Sequence, residues 1–268
     1  ETGVPRWTYE GTRITDNTIA ISEDRVLFAD AVEITDEQRR QATAESGGDP
    51  AGADVRMAVC LDAETGAKLW ERPVDVTDCG AGRGVLMAMA YDGGLVFSAA
   101  HWNGHYWREF LGGDFGTRRA VALDTGDGSL LWHDRLGYRI RPLIIGDQFI
   151  GEPWSYDLHT GEQRMCTHPL TGEQVPWQFE RPGHHCGCIS GTENMLLFRS
   201  SYTGYYDLIG DYGSMHFGAH RPGCWVNFIA ANGVVLVPEA SSGCQCLYAV
   251  QCTVAFEPVG GPQTWGIY

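Results

Sequence analysis

Five cysteines in the C-terminal half of the sequence have a spacing that could do chemistry. They form two Cys-x-Cys pairs, Cys186 with Cys188 and Cys244 with Cys246, and Cys224 lies between the pairs. Residues two apart in a β-strand project from the same face with Cα atoms about 6.6 Å apart, so both members of a pair face one neighbouring strand. A bridge within a pair would require a strained ring. The spacing therefore predicts a structural cluster of disulfides between strands, whose connectivity the sequence does not define.

Histidines beside the first pair offer a second interpretation, a zinc or copper site. His184 and His185 directly precede Cys186, and Cys188 completes the group. Imidazole and thiolate are ligands of both metals. Paired zinc ligands are usually separated by two to four residues, however, and Cys-x-Cys does not match that spacing. We therefore predict disulfides and no bound metal, and the metal site remains the alternative.

An aromatic and histidine-rich insertion over residues 98–119 is the main candidate for ligand binding. Exposed aromatic rings in a loop stack on sugars or clamp a protein partner, and neighbouring polar groups fix the orientation of the ligand. The alternative is a lid whose rings pack onto the protein itself. The candidate ligand-binding residues are His101, Trp102, His105, Tyr106, Trp107 and Arg108.

These groups must be positioned by a repeated β-hairpin. The shared pattern is Asp-x-x-(Thr/Asp)-Gly-x-x-x-Trp, in which the Asp accepts hydrogen bonds from turn amides and the Gly takes φ > 0. The Trp can then pack its indole against the next unit. A third copy has Met165 in place of Trp. The predicted docking residues are Asp62, Gly66 and Trp70 in the first copy, Asp124, Gly128 and Trp132 in the second, and Asp157 and Gly161 in the third.

A second repeated feature, a turn residue followed by a short apolar run, sets the number of units. It occurs at Asp24, Asp92, Asp147, Asn194 and Asn232. Five occurrences predict five blades of about four antiparallel strands, an all-β propeller in a single domain over residues 1–268. We set the first three residues, Glu-Thr-Gly, aside from this pattern as a scar or a processed end.

An acidic insertion over residues 29–55 interrupts the regular pattern. Its charge predicts a solvated loop with one helical turn near residues 36–43. Calcium is an alternative ligand, but the spacing of the carboxylates does not match an EF-hand loop.

Overall charge and cysteine content limit the class of partner and the compartment. The formal charge of the 268 residues is −15, which disfavours nucleic acid and anionic membrane surfaces. The longest apolar stretch is too short to span a bilayer. Nine cysteines fit an oxidising compartment, so we expect a secreted or periplasmic protein.

The docking pattern resembles the tryptophan-docking repeat of quinoprotein dehydrogenases and of related PQQ-like propellers. The C-terminal half is similar to the closing blades of large planctomycete-type PQQ-like propeller proteins, for example at Gly204-Tyr205-Tyr206-Asp207-Leu208 and Arg221-Pro222-Gly223-Cys224-Trp225. Such a resemblance implies an eight-bladed ring of which this chain supplies five blades. The remaining blades would then belong to another chain or fragment.

Catalytic signatures of quinoprotein dehydrogenases are missing from the sequence. It has no Cys-Cys dipeptide, no acidic pair that we can assign to calcium, and no Cys-x-x-Cys-His haem motif. Fold resemblance alone carries no chemistry. We therefore expect a non-catalytic extracytoplasmic scaffold or binding module for a protein or carbohydrate partner, without a cofactor. The alternatives are a PQQ-dependent oxidoreductase with calcium and a Cys/His protein that binds zinc or copper.

Overall fold

The computed structural model describes residues 3–80, 85–100, 114–183, 185–218, 220–224, 226, 228–240, 243, 250 and 252–258. The chain divides into two compact units, Glu1–Glu180 and Arg181–Tyr268. The regular secondary structure of both units is mainly antiparallel β-sheet, in agreement with the all-β prediction.

The first unit contains three sheets, which we call blades 1, 2 and 3. Blade 1 is built from β1 Ala20–Ser22, β2 Arg25–Asp30, β3 Val55–Asp62 and β4 Lys68–Asp75. Blade 2 is built from β5 Val85–Tyr91, β6 Gly94–Ala100, β7 Arg119–Asp124 and β8 Leu130–Arg135. Blade 3 contains β9 Leu143–Ile145, β10 Gln148–Gly151 and β11 Trp154–Asp157. A separate hairpin pairs β12 Met165–Thr167 with β13 Gln174–Pro176, and two 3-10 helices lie at Asp16–Thr18 and Asp114–Thr117.

The second unit contains blades 4 and 5. Blade 4 is built from β14 Ser190–Thr192, β15 Met195–Ser200, β16 Tyr202–Asp207 and β17 Ser214–Phe217. Blade 5 contains β18 Ile229–Ala231, β19 Val234–Val237 and β20 Val254–Phe256. Its core is a cluster of apolar side chains that joins the two sheets, centred on Leu197, Phe228 and Val237.

Each of the five predicted turns joins the first two strands of one blade. The turns at Asp92-Gly93 and Asn232-Gly233 have positive φ at both residues, the conformation of a type I′ hairpin turn. Apart from the two-stranded β12–β13 sheet, the described residues form five sheets, in agreement with the five predicted blades. The number of strands does not always agree, because blades 3 and 5 have three described strands each. In blade 3 a single bridge, Tyr156 to Gln163, stands where a fourth strand was expected.

Adjacent blades of the first unit pack through apolar side chains from both sheets. Leu27 and Cys60 of blade 1 belong to the same buried cluster as Leu95 and Phe97 of blade 2. A second cluster joins blade 2 to Phe149 and other residues of blade 3. The strand β6 is therefore buried on both faces.

The acidic insertion is more helical than predicted. Helix α1 spans Asp36–Ser46, eleven residues rather than one turn. Thr35 and Gln38 form a reciprocal capping box at its start, and Gly47, with φ +67°, ends it in the left-handed conformation. These local signals stabilise both ends, and Arg39 Nη1 donates to the carbonyl of Ala53 at 2.7 Å, which attaches the helix to the following loop.

Candidate functional site

The predicted Asp-x-x-(Thr/Asp)-Gly segments form turns in which the Asp side chain accepts from an amide two or three residues further on. Asp62 Oδ1 accepts from the Thr65 amide and Asp157 Oδ1 from the Thr160 amide, both at 2.7 Å. Asp124 Oδ1 accepts from the Gly126 amide at 2.6 Å. Hydrogen bonds from Thr65 hold the pKa of Asp62 below its ordinary value. These carboxylates organise the turns.

Each indole contacts the turn of the following blade. Trp70 lies on Gly128 and donates its Nε1–H to the carbonyl of Thr125 at 2.9 Å. Trp132 lies on Gly161 and donates to the carbonyl of Leu158 at 2.8 Å. Trp132 is buried, whereas Trp70 is only partly buried.

Sequence reasoning missed a third docking indole, Trp7. It lies on Gly66 and donates to the carbonyl of Ala63 at 3.0 Å. Gly3, four residues earlier, has φ +68°, close to the +73° of Gly66. Gly3-x-x-x-Trp7 repeats the Gly-x-x-x-Trp spacing that identified the other copies, although Gly3 belongs to the residues that were set aside from the pattern.

Two further turns of this type also escaped the sequence pattern. Asp207 Oδ1 accepts from the amides of Ile209 and Gly210 at 2.9 and 3.1 Å. In the β12–β13 hairpin a histidine replaces the aspartate, and His168 Nδ1 accepts from the Thr171 amide at 3.2 Å. Met165, at the position of the docking Trp, is 47% exposed, so no docking side chain follows Gly161.

The docking turns lie at one end of blades 1 and 2, and the two long insertions leave from the opposite end. The turns connect β3 to β4 and β7 to β8, whereas residues 31–54 and 101–118 connect β2 to β3 and β6 to β7. Both predicted insertions therefore leave their blades at the same end, which we call the insertion end. Residues 101–113, which contain the six aromatic-insertion candidates, lie outside the described residues, so their role stays a prediction.

A pocket of about 540 Å³ lies at the insertion end. The loop after helix α1, the segment after β4 and the ends of β7 and β8 form its walls. Its charged lining residues are Asp49, Asp75, Asp78, Arg119, Asp134 and Arg135. We call it the insertion-end pocket.

A buried ion pair forms the floor of the pocket. Arg119 Nη1 donates to Asp75 Oδ2 at 3.3 Å and to the carbonyl of Thr77 at 3.2 Å. Burial raises the pKa of Asp75, but hydrogen bonds from Ser46 and Thr77 and the charge of Arg119 outweigh it, so the pKa lies below its ordinary value. Nε and Nη2 of Arg119 have no hydrogen-bond partner within the described part of the chain.

The predicted cysteine cluster is only partly described. Cys224 is a buried free thiol whose sulfur accepts from Arg199 Nη1 at 2.9 Å. Cys186 is also buried, and Cys188 is half-buried. Since Cys244, Cys246 and His184 lie outside the described residues, the disulfide hypothesis and the metal hypothesis both stay predictions. Among the residues that the structure does describe, no group of three or more His, Cys, Asp or Glu is placed to hold a metal ion.

Within the described ranges, no helix is long and apolar enough to cross a membrane.

Comparison with solved structures supports the propeller assignment. BamB from Moraxella catarrhalis superposes with a TM-score of 0.51 at 12% identity, over 93% of this chain and 60% of that protein. The chain thus spans less than two thirds of that BamB. The computationally designed Ika8 protein (TM-score 0.38, 12% identity, 83% and 67% coverage) and a europium-containing methanol dehydrogenase (0.33, 12%, 74% and 40%) are more distant. Together with the four-stranded antiparallel sheets, the BamB similarity shows a β-propeller fold.

Sequence comparison identifies the family. No curated protein matches the chain. A family profile described as "Outer membrane protein assembly factor BamB" matches residues 2–148 and 55–196, which together cover well over half of the chain. This match does not confirm the more specific resemblance to planctomycete-type proteins. The chain belongs to the BamB family of PQQ-repeat β-propellers.

Proposed function

We propose that this protein is a non-catalytic, extracytoplasmic binding module that receives a protein or carbohydrate partner at the insertion end of blades 1 and 2. The insertion-end pocket carries this proposal. Docking turns and indoles occupy the other end of the strands and join the blades to one another. The docking turns do not use the insertion end. This end combines a cavity with two long connections between strands, which are features of a surface that binds a ligand.

The family supports a binding role outside the cytoplasm. Its profile carries the description of an outer membrane protein assembly factor, a name that denotes work on other proteins at an envelope. Nine cysteines in a chain of this length are consistent with that location.

Photo-crosslinking tests the position of the binding surface. We would place p-benzoylphenylalanine at Asp134, which is exposed at the pocket, and at Glu64, which is exposed in a docking turn. We expect crosslinking from position 134 in an envelope extract to give discrete adducts, and we expect crosslinking from position 64 to give none of the same adducts. Equal adducts at both positions, or none at position 134, would contradict it. Native mass measurement of the same protein tests the alternatives, since bound PQQ would favour an oxidoreductase.

We also propose that a sheet of the same repeat type, on another chain, covers the open face of blade 5. Leu236 lies four residues after Asn232, as Val96 lies four residues after Asp92. Val96 is fully buried between blades, whereas Leu236 is 36% exposed and its partner Ile229 is 47% exposed. An apolar blade face of this kind is normally covered.

Sedimentation over a range of concentrations tests this second proposal, with a second copy of the chain as the partner. Self-association that Leu236→Glu removes would support it. Ile209→Glu is the control, because Ile209 is 76% exposed in a turn of blade 4. A monomer at all concentrations, or association that survives Leu236→Glu, would count against it.

A further inference from the structure

The insertion-end pocket presents hydrogen-bond acceptors and donors side by side. Carboxylates of Asp49, Asp78 and Asp134 can only accept when ionised, whereas the guanidinium groups of Arg119 and Arg135 can only donate. The pairing between Arg135 Nη2 and Asp78 Oδ2 is loose, at 3.6 Å. Both kinds of group therefore remain available to a ligand.

Arg119 lines the pocket and has two buried hydrogen-bond donors, Nε and Nη2, without a partner among the described residues. Its side chain is 10% exposed, and its bonds to Asp75 and Thr77 use only Nη1. A buried guanidinium with unused donors costs free energy unless a ligand or water accepts from it. This side chain lines the pocket and supplies its buried donor.

Hydrogen bonding in the pocket disfavours three of the four broad classes of ligand, the apolar, the anionic and the cationic. An apolar ligand finds only Ala53 among side chains that are otherwise polar or glycine. An anionic ligand meets four carboxylates at the pocket and a chain of net charge −15. A cationic ligand is attracted by the carboxylates, but it can only donate hydrogen bonds and therefore cannot accept from Arg119 or Arg135. A neutral ligand that both donates and accepts remains.

We propose that the insertion-end pocket binds a saccharide, a neutral ligand rich in hydroxyl groups. This inference rests on the proposed function and names the ligand class of the same pocket. Each hydroxyl both donates and accepts, so neighbouring hydroxyls bond to Asp78 or Asp134 on one side and to Arg119 or Arg135 on the other. The volume of about 540 Å³ lies within the range of small-molecule sites.

Calorimetric titration with defined oligosaccharides tests this proposal. The neutral probes are maltohexaose, cellohexaose and xylohexaose; a galacturonic acid hexamer is the anionic probe and a chitosan hexamer the cationic one. We expect at least one neutral probe to bind with a Kd of about 1 mM or tighter. The charged probes should not compete with it.

A double variant connects binding to the pocket. Asp78→Asn with Asp134→Asn keeps the size of both side chains, and asparagine tolerates the positive φ of 63° at position 78. We expect about a tenfold loss of affinity for the neutral probe. Glu64→Gln, at the docking end, is the matched control and should bind as the parent protein does. An unchanged urea midpoint shows that the double variant is folded.

The outcomes separate this inference from the function on which it rests. Binding of no neutral probe, preference for a charged probe, or unchanged affinity in the double variant overturns the saccharide assignment. If photo-crosslinking from position 134 still captures a specific protein, the binding surface stands and only the ligand class is wrong. If neither experiment detects binding at the insertion end, both proposals fail.

Discussion

The indole of Trp70 lies so close to Gly128 that a Cβ atom built on that glycine would stand 2.8 Å from Trp70 Cε3. Trp70 belongs to the last strand of blade 1, and Gly128 to the docking turn of blade 2. The same relationship links Trp7 to Gly66 and Trp132 to Gly161. Each turn therefore has two tasks, to reverse its own hairpin and to receive the indole of the preceding unit.

Gly128→Ala should destabilise the protein more than Gly172→Ala. Both glycines have positive φ, +76° and +73°, so both substitutions should lose about 1 to 2 kcal/mol from the left-handed backbone. Only Gly128 faces an indole, whereas an added Cβ at Gly172 meets nothing within 4 Å. The overlap of this Cβ with the Trp70 indole should increase the loss of unfolding free energy by about 1 to 3 kcal/mol. Urea unfolding followed by tryptophan fluorescence measures both, and equal losses would show that the docking contact contributes nothing.

Trp132→Ala should be far more costly than Met165→Ala, although both residues lie four positions after a docking-turn glycine. Trp132 is 8% exposed and Met165 is 47% exposed. Removing the buried indole should lower the free energy of unfolding by about 3 to 5 kcal/mol, and removing the exposed Met side chain by about 0.5 kcal/mol or less. Thermal or urea unfolding of the two variants checks this. A loss below about 1 kcal/mol for Trp132→Ala is incompatible with indole docking.

Asp75 should make stability depend on pH in the acid range. Its pKa is lower in the folded protein than the unfolded value of about 3.9. Its contribution is therefore complete above that unfolded value and is lost as the pH falls through the lower, folded pKa. Asp75→Asn should lower the urea midpoint at pH 7, and the difference from the parent protein should shrink by about pH 2. Glu64→Gln is an exposed control, and a difference that stays constant with pH would exclude this role of Asp75.

Thiol counting tests the disulfide cluster predicted from Cys186, Cys188, Cys224, Cys244 and Cys246. Cys60 and Cys79 are buried free thiols in the core of blades 1 and 2, and burial raises the pKa of Cys60 to about 11. Counting therefore has to be done in denaturant without reductant. Two disulfides within the cluster would leave five of the nine thiols reactive. Nine reactive thiols, with zinc or copper in the isolated protein, would favour the metal site.

The sequence by itself determined the local units of this protein. A docking turn of the predicted pattern uses one carboxylate and one glycine within five residues, and its hydrogen bonds close inside that span, as Asp157 with Thr160 and Gly161 shows. Hairpin turns such as Asn232-Gly233 are equally local. For this reason the number of blades and the position of most of the turns could be read from the residues, although the turns at Asp207 and His168 escaped the pattern. Helix α1 was underestimated because its capping residues lie within a segment that reads mainly as acidic.

Only the tertiary structure decided which units meet and where a ligand fits. Trp70 bonds to a carbonyl 55 residues away, and Arg119 to a carboxylate 44 residues away. No local pattern encodes such a pair, because it depends on how one sheet stacks on the next. The insertion-end pocket has the same origin: Asp75, Asp78 and Asp134 look like ordinary surface carboxylates in the sequence, and only the stacking of blades 1 and 2 places them around one buried arginine.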